Sequence, residues 1–400
     1  MMIPPHRSSF GIGTIIGSCL ANPESRRLDQ LEAAYATAAG CPSAVWLPSA
    51  RAGICWALRA SIGPQTKVLG PAFTCSVVHE AIVRSGGAIH LIDAAKEGFL
   101  MNEETLFPAQ SGKYAIVLTE PFGHTYDLAQ VTRNAISPPL VRIVDMAMSV
   151  PHPALFERLE PRDFALLSFG STSKPMFAGW GAMGFARDPA LGNEVRQLRD
   201  STLAKTDSKM RLRRMAEVFL RTLAHYPQVY SLVRRLRPEL APATLPETPW
   251  VGFPASWAAG CSSAPEWNLP STLLDRSLAQ WNLEHVASLH QARITLARRY
   301  HSNLHAAKFV IRPKTSPYAL SHYTICLSPA LRLQAQRRLH QSGIYALTLW
   351  AHHQPLDKNQ FPNAFGLKSS ILNLPLSPQM SDRDVDLICS ALTRCLESES

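Results

Sequence analysis

Six short apolar runs alternate with helix-compatible stretches in the first half of this 400-residue chain. Each run is bounded by turn residues and predicts a buried strand: AVWLP (44–48), KVLG (67–70), AIHLI (88–92), YAIVLTE (114–120), VRIVD (141–145) and FALLSF (164–169). Residues 50–62 and 76–87 are typical of helices, and the second stretch ends in a glycine pair suited to a helix C-terminus. This alternation predicts an α/β fold with a mostly parallel sheet and helices on both faces.

The pattern changes after about residue 188. A long, basic, helical segment runs to Arg237, and the proline-rich stretch RPELAPATLPETPWVGFP after it favours neither helix nor strand. A smaller α+β domain is predicted beyond it from a long helix (268–307), strand-like FVIRP (309–313) and YTICLS (323–328), a helix near 329–342 and a final helix opened by Ser381-Asp382. We expect a large domain at 1–255, with a basic helical insertion at about 190–240, and a small C-terminal domain at 256–400.

The formal net charge of +10 makes nucleic acid, a membrane surface or a phosphorylated substrate candidate partners. Residues 194–237 carry +7 of this charge, from eleven basic and four acidic residues with apolar residues between them. The favoured interpretation is a helix packed on its own domain with a solvated basic face. Binding to anionic lipid, which flotation with anionic vesicles tests, and contact with a polyanion are the alternatives. Because the rest of the chain is nearly neutral, no nucleic-acid partner is predicted.

Targeting and metal signals are weak. No apolar run reaches the roughly 18 residues that span a bilayer, and the N-terminal sequence lacks the order of a secretory signal. We therefore expect a cytoplasmic protein whose membrane contact, if any, is peripheral. The eight cysteines are scattered without CxxC pairs, which favours reduced thiols. His301 and His305 lie one helical turn apart, but without an obvious third ligand no metal site is predicted.

IVDMAMS and LLSFGSTSKPMFAGWGAMGF are the segments most informative about chemistry. They place Asp145 at the end of a predicted strand and Lys174, 29 residues later, in a turn after the next strand. Ligands of open α/β sheets bind at the carboxyl ends of strands, so both side chains could face one crevice. A shielded lysine suits Schiff-base formation, and an aspartate beside it could keep a pyridinium nitrogen protonated. The alternative is an ordinary surface lysine and an aspartate that caps a loop.

Segments along nearly the whole chain, apart from the basic insertion, resemble the DegT-type aminotransferases. This is the sugar-aminotransferase branch of the fold type I pyridoxal-phosphate (PLP) enzymes. The matching segments, in chain order, are LPSARAGICWAL, GPAFTCSVVHEAIVRSGG, EPFGHTYDL, IVDMAMS, SKPMFAGWGAMGF, and the pair HQSGIYALTLWAHH and ILNLPLSPQMSDRDVDLI. The resemblance implies the fold of that class, with a large PLP-binding domain and a smaller C-terminal one.

The resemblance also implies roles for individual residues. Lys174 would bind PLP as a Schiff base and then act as the acid and base of the proton shift. Asp145 would pair with the pyridine nitrogen, and Ala147 would pack against one face of the ring.

The phosphate contacts follow from the same resemblance. The turn Ala50-Arg51-Ala52 opens a helix whose N-terminal N–H groups would bind phosphate. Ser168, or a hydroxyl of Ser171-Thr172-Ser173, would add a contact. Asn268, in EWNLPS, resembles an asparagine that reaches a phosphate from the neighbouring subunit, which implies a homodimer with composite active sites.

The chain differs from the family pattern at four positions. Met148 stands where Gln or His usually touches the ring oxygen. Cys75 stands where an aromatic residue often stacks on the ring, so either Phe73 substitutes or that face is covered differently. Ser168 lies six residues before the lysine, where the family usually has five, and Pro270 replaces an arginine.

By resemblance, the chain is a PLP-dependent aminotransferase. It would transfer an amino group from an amino acid, usually glutamate, to a keto-sugar, commonly nucleotide-linked, for polysaccharide, glycoconjugate or secondary-metabolite biosynthesis. Lys174 speaks against the related sugar dehydratases, which have histidine at that position. The alternative is a non-catalytic regulator or scaffold of the same fold that docks at an anionic membrane through the basic helix.

Overall fold

The computed structural model describes residues 2–204, 208–236, 267–304, 317–351 and 356–397. Its main sheet has seven strands in the order β1-β7-β6-β5-β4-β2-β3. The strands are β1 (Ser43–Leu47), β2 (Lys67–Pro71), β3 (Ala88–Ile92), β4 (Tyr114–Thr119), β5 (Arg142–Asp145), β6 (Asp163–Ser168) and β7 (Ala182–Ala186). β2 to β6 pair only in parallel among themselves, whereas β7 runs antiparallel to both β1 and β6. The mostly parallel sheet expected from the sequence is confirmed.

Helices cover both faces of this sheet. In chain order they are α1 (Ile12–Cys19), α2 (Leu28–Ala39), α3 (Ala50–Ser61), α4 (Ser76–Ser85), α5 (Glu103–Ala109), α6 (Leu128–Arg133), α7 (Pro153–Glu157), α8 (Pro189–Thr202), α9 (Ser208–Ala224), α10 (Pro227–Leu236), α11 (Leu273–Glu284), α12 (Val286–Asn303), α13 (Pro329–Gln341), α14 (Pro362–Ser370) and α15 (Asp382–Glu397). Alternate residues of β4 enter different apolar clusters, Ala115 and Val117 with α3 and α4, Ile116 and Leu118 with α2 and α11. This period of two is that of a strand buried on both faces.

Two strands differ from their prediction. β3 is an edge strand, paired only with β2, and His90 at its centre is exposed, so it is not the buried strand that AIHLI predicts. β7 was not predicted, because its sequence AMGFA lacks the β-branched residues that mark a strand. Gly184 in β7 is required by packing, since a Cβ atom there would lie 2.5 Å from the ring of Phe164.

A second apolar core lies in the C-terminal part of the chain. It is built around the two-stranded antiparallel sheet of β8 (Tyr323–Cys326) and β9 (Ile371–Leu374), which α12, α13 and α15 cover. Ile3 joins this core, and its N–H donates to the carbonyl of Gly343. The N-terminal segment thus ties the first residues of the chain to the C-terminal core. The boundary expected at 255/256 and the strand expected at 309–313 lie outside the described residues.

The basic segment folds as α8, α9 and α10, where a single long helix was expected. Pro227 begins α10, since the missing N–H of proline costs no hydrogen bond in the first turn of a helix. α9 packs inward through Arg214, Val218 and Thr222. Its outer face is not simply basic, because Leu212 and Leu220 are 63% and 61% exposed. Contact of this face with anionic lipid stays an untested alternative to the favoured interpretation.

The described residues contain no cluster of His, Cys, Asp or Glu able to hold a metal ion. His305, of the predicted helical-turn pair, lies outside them. Seven cysteines are described and all are free thiols. Within the same ranges, no helix combines the length and the apolar character needed to cross a membrane.

A buried histidine makes the stability of the fold depend on pH. His79 of α4 is fully buried, and its Nε2 atom donates to the carbonyl of Pro71 at the end of β2, 2.7 Å away. Burial lowers the pKa of His79 from 6.5 to about 4. The unfolded chain therefore binds a proton here at a pH at which the folded chain does not, and stability falls as the pH drops below about 6.5.

We predict that His79→Gln, which keeps a side-chain donor but cannot titrate, removes this loss. Relative to the variant, the wild-type protein should lose about 2 kcal/mol between pH 7 and about pH 5. Melting temperatures of both proteins, measured across this range, provide the test. Parallel curves for the two proteins would contradict the assignment.

Candidate active site

A cavity of about 260 Å³ opens where several chain elements end or begin. It lies at the carboxyl ends of β4, β5 and β6 and at the N-terminus of α3, which is where ligands of open α/β sheets bind. Its lining residues are Pro48, Ser49, Ala50, Arg51, Ile54, Cys75, Val77, Val78, Thr119, Asp145, Ala147, Met148, Ser168, Gly170, Ser171, Ser173, Lys174, Trp180, Gly181, Leu349 and Trp350. Asp145 and Lys174, paired from the sequence, share this cavity.

Asp145 ends β5 and is 5% exposed. Its Oδ1 atom accepts a hydrogen bond from the N–H of Ala147 at 3.1 Å, and its Oδ2 atom accepts one from the hydroxyl of Thr119 at 3.4 Å. Burial raises the pKa of the Asp145 carboxyl, while the positive charge of Lys174 opposes that rise. The result is a fixed carboxyl group that can hold a proton between itself and a basic ring nitrogen.

Lys174 lies in the loop between β6 and β7. Its backbone N–H donates to the carbonyl of Ser171 at 2.9 Å, which closes a tight turn. The Nζ atom lies 3.2 Å from the sulfur of Met148. A thioether is a weak acceptor, so this contact orients the amine without holding it in an ion pair.

Serine hydroxyls from the end of β6 and from the loop after it form a rim of the cavity. Ser168, Ser171 and Ser173 line the cavity, and the hydroxyls of Ser171 and Ser173 lie 3.0 Å apart. Thr172 turns away, and its hydroxyl lies 2.8 Å from Nε2 of His6. The sequence left open whether Ser168 or a hydroxyl of residues 171–173 lies at the site. The cavity is lined by Ser168 and also by Ser171 and Ser173, but not by Thr172.

The start of α3 also lines the cavity. Ser49 caps this helix, and its hydroxyl accepts from the N–H of Ala52 at 3.3 Å. Ala50 and Arg51 line the cavity at the positive end of the helix dipole. The helix can lie this close to the sheet because Gly53 has no side chain; a Cβ atom there would lie 2.5 Å from Leu166.

Three residues expected at the site do not line this cavity. Ala52 is fully buried, and its N–H donates to the hydroxyl of Ser49, the residue that caps α3. Phe73 lies behind the wall, its ring edge-on to that of Trp350 with centroids 5.6 Å apart, so Cys75 lines the cavity in its place. Asn268 lies in a turn, where its carbonyl accepts from the N–H of Ala204.

Sequence reasoning missed Trp180 and Trp350, which both line the cavity. Trp180 stands between two glycines with left-handed backbone, and Trp350 itself has φ of 65°. The Gly-Trp-Gly triplet was a visible signal for the first. Trp350 follows α13 in the chain and is held at the site by packing against Phe73 and Phe122, a tertiary contact that has no local sequence signal.

The residues present fit PLP by their donor chemistry. The cofactor requires an anion site, a carboxyl group for its ring nitrogen and an amine for its aldehyde. The helix start with its serines, Asp145 and Lys174 are groups of these three kinds within one cavity. Ala147 adds a small apolar side chain to the lining.

Solved structures of similar fold cover the whole chain. Spr1654 from Streptococcus pneumoniae, assigned as a sugar aminotransferase and solved in its PMP form, is 18% identical over 100% of this chain and 99% of its own, with a TM-score of 0.70. The aminotransferase TlmJ from Streptoalloteichus hindustanus is 17% identical over 100% of both chains, with a TM-score of 0.69. The GDP-4-keto-6-deoxy-D-mannose-3-dehydratase of E. coli, with bound hydrated PLP, is 12% identical over 98% of this chain and 100% of its own, with a TM-score of 0.72. At these identities the likeness concerns the fold alone.

The family is shown by sequence. The model of the DegT/DnrJ/EryC1/StrS aminotransferase family matches residues 21–219 and 274–393. These ranges contain Asp145, Lys174 and both tryptophans of the cavity, and they omit α10 and the stretch after it. The chain belongs to the DegT/DnrJ/EryC1/StrS aminotransferase family.

Proposed function

We propose that the protein is a PLP-dependent aminotransferase that moves an amino group from an amino acid, with glutamate as the expected donor, to a nucleotide-linked keto-sugar. The observation that carries the proposal is the meeting of Asp145, Lys174 and the start of α3 around one cavity. Sugar substrates are supported by the names of the similar structures, one assigned as a sugar aminotransferase and another a dehydratase of a GDP-linked keto-sugar.

The roles of the residues follow from where they lie. When bound, PLP supplies an electron sink for the bond that breaks at the donor carbon. The first turn of α3 and the serines of the rim would bind its phosphate. The carboxyl of Asp145 would hold a proton at the ring nitrogen, and Ala147 would keep the ring in plane. The amine of Lys174 would hold the cofactor at rest and, once a donor amine displaces it, move the proton of the donor α-carbon.

Lysine at position 174 favours amino transfer over dehydration, since the related dehydratases resemble this chain but carry histidine there. A non-catalytic scaffold of this fold would need neither the amine of Lys174 nor a donor. Amino-acid donors therefore separate the two hypotheses, because only an enzyme converts bound PLP to its colourless amine form.

We predict that the protein loaded with PLP absorbs visible light and that glutamate bleaches this absorbance. Lys174→Ala should lose both properties, because no amine remains to bind the aldehyde, whereas Lys113→Ala, at an exposed lysine, should keep them. Absorption spectra before and after addition of a panel of amino acids provide the measurement. Wild-type protein that stays colourless after incubation with PLP would exclude the proposal, and colour that no donor bleaches would favour the scaffold.

The proposed enzyme is a homodimer with composite sites. Asn268 supports this arrangement, because it is buried only in part, lies outside the cavity of its own chain and stands at the start of the segment that leads into α11. A partner's Asn268 would then reach the phosphate of the facing site. Cytoplasmic location stays a prediction.

We predict that Lys174→Ala and Asn268→Ala each abolish or strongly reduce turnover alone, and that mixed dimers recover activity. In a mixed dimer, one of the two sites combines an intact Lys174 with an intact Asn268 of the other subunit. The measurement is turnover after joint refolding or co-expression, with light scattering for the mass. A monomeric protein, or Asn268→Ala with undiminished turnover, would contradict the composite site.

A further inference from the structure

We propose that Trp180 and Trp350 form an aromatic surface that binds the sugar ring of the amino acceptor. The inference rests on the proposed function and adds the residues that recognise the acceptor. Both indoles line the cavity that contains Lys174, Trp180 from the turn before β7 and Trp350 from the segment after α13.

Contacts of both its backbone and its ring hold Trp180 in place. Its N–H donates to Oδ1 of Asp275 at 3.2 Å, and Asp275 is fully buried in an ion pair with Arg214 at 3.0 Å. The guanidinium carbons of Arg214 and Arg221 each lie 5.5 Å from the centroid of the indole. Cation–π contacts of this kind hold a ring in one orientation. Helix α9 thus braces one wall of the cavity.

The backbone around Trp180 is built for this placement. Gly179 and Gly181 have φ of 97° and 107°, which only glycine adopts readily. A Cβ atom on Gly179 would lie 2.8 Å from Oδ1 of Asp275, and one on Gly181 would collide with the ring of Trp46. The turn can therefore place the indole at the cavity only because both neighbours of Trp180 are glycines.

Trp350 is held in a strained conformation. It and Phe122 are two of three described residues other than glycine with positive φ, at 65° and 58°. Their rings stack on each other with centroids 4.9 Å apart. The carbonyl of Phe122 also accepts from the N–H of Ser321, which joins this loop to the C-terminal core. Such conformations are costly for bulky residues and persist where the surroundings impose them, commonly at functional sites.

The rest of the cavity leaves a mainly apolar surface for the acceptor. Among its described lining residues, the charged side chains are Arg51, Asp145 and Lys174, and Arg51 lies 3.6 Å from the carboxylate of Glu80. When bound, PLP would occupy Asp145 and Lys174. An indole face carries negative charge density, and the C–H bonds of a saturated sugar ring are slightly positive, so the ring's apolar face fits this surface.

The test measures binding and the donor reaction separately. PLP-loaded protein is titrated by calorimetry with UDP-, dTDP- and GDP-linked hexoses and with the matching nucleoside diphosphates. We expect wild-type protein to bind at least one nucleotide hexose more tightly than its diphosphate. Trp350→Ala and Trp180→Ala should weaken that binding by about tenfold or more, with Trp350→Phe within about threefold of wild type. The matched control is Trp281→Phe, whose ring stacks on His285 away from the cavity.

Donor bleaching by glutamate separates a recognition role from a structural one. In each tryptophan variant bleaching should slow by a smaller factor than the hexose binding weakens, because the donor has no sugar ring that could lose contacts. The inference is overturned if the variants slow bleaching as much as they weaken binding, if they weaken the diphosphate alone by the same factor, or if no hexose binds better than its diphosphate. Failure of the proposed function would look different, since wild-type protein would then not bleach at all.

Discussion

A buried carboxyl group within the field of a lysine amine is the interaction on which the site depends. Asp145 is buried at the end of β5. Burial raises the pKa of its carboxyl group, and the charge of Lys174 opposes that change. The two side chains line one cavity because β5 and β6 are parallel neighbours and end at the same edge of the sheet. The fold thus brings the two residues to one edge of the sheet, and the loop after β6 orients the amine of Lys174.

That loop is braced by the N-terminal segment. The ring of His6 lies 2.8 Å from the hydroxyl of Thr172, and the hydroxyl of Ser9 donates to the carbonyl of Pro175, so the chain is held on both sides of Lys174. The same segment reaches the C-terminal core through Ile3. The position of the amine is therefore linked through this segment to the C-terminal core.

The sequence was sufficient for β1, β2, β4, β5 and β6 and for placing Asp145 and Lys174 after neighbouring strands, because continuous apolar runs and strand ends are local signals, whereas the apolar run of β3 did not reveal its edge position. It was insufficient where tertiary context decides. β7 has a weak strand sequence and forms because β1 and β6 offer hydrogen bonds on both sides. Phe73 was expected on the ring but lies behind Trp350, whose left-handed backbone no pattern predicts.

The central claim is that the amine of Lys174 binds the cofactor beside Asp145, and reduction with borohydride tests it most directly. After the PLP-loaded protein is reduced and digested, mass spectrometry should find one phosphopyridoxyl group per chain, on the peptide that contains Lys174. A label spread over several lysines, or absent from that peptide, would contradict the account.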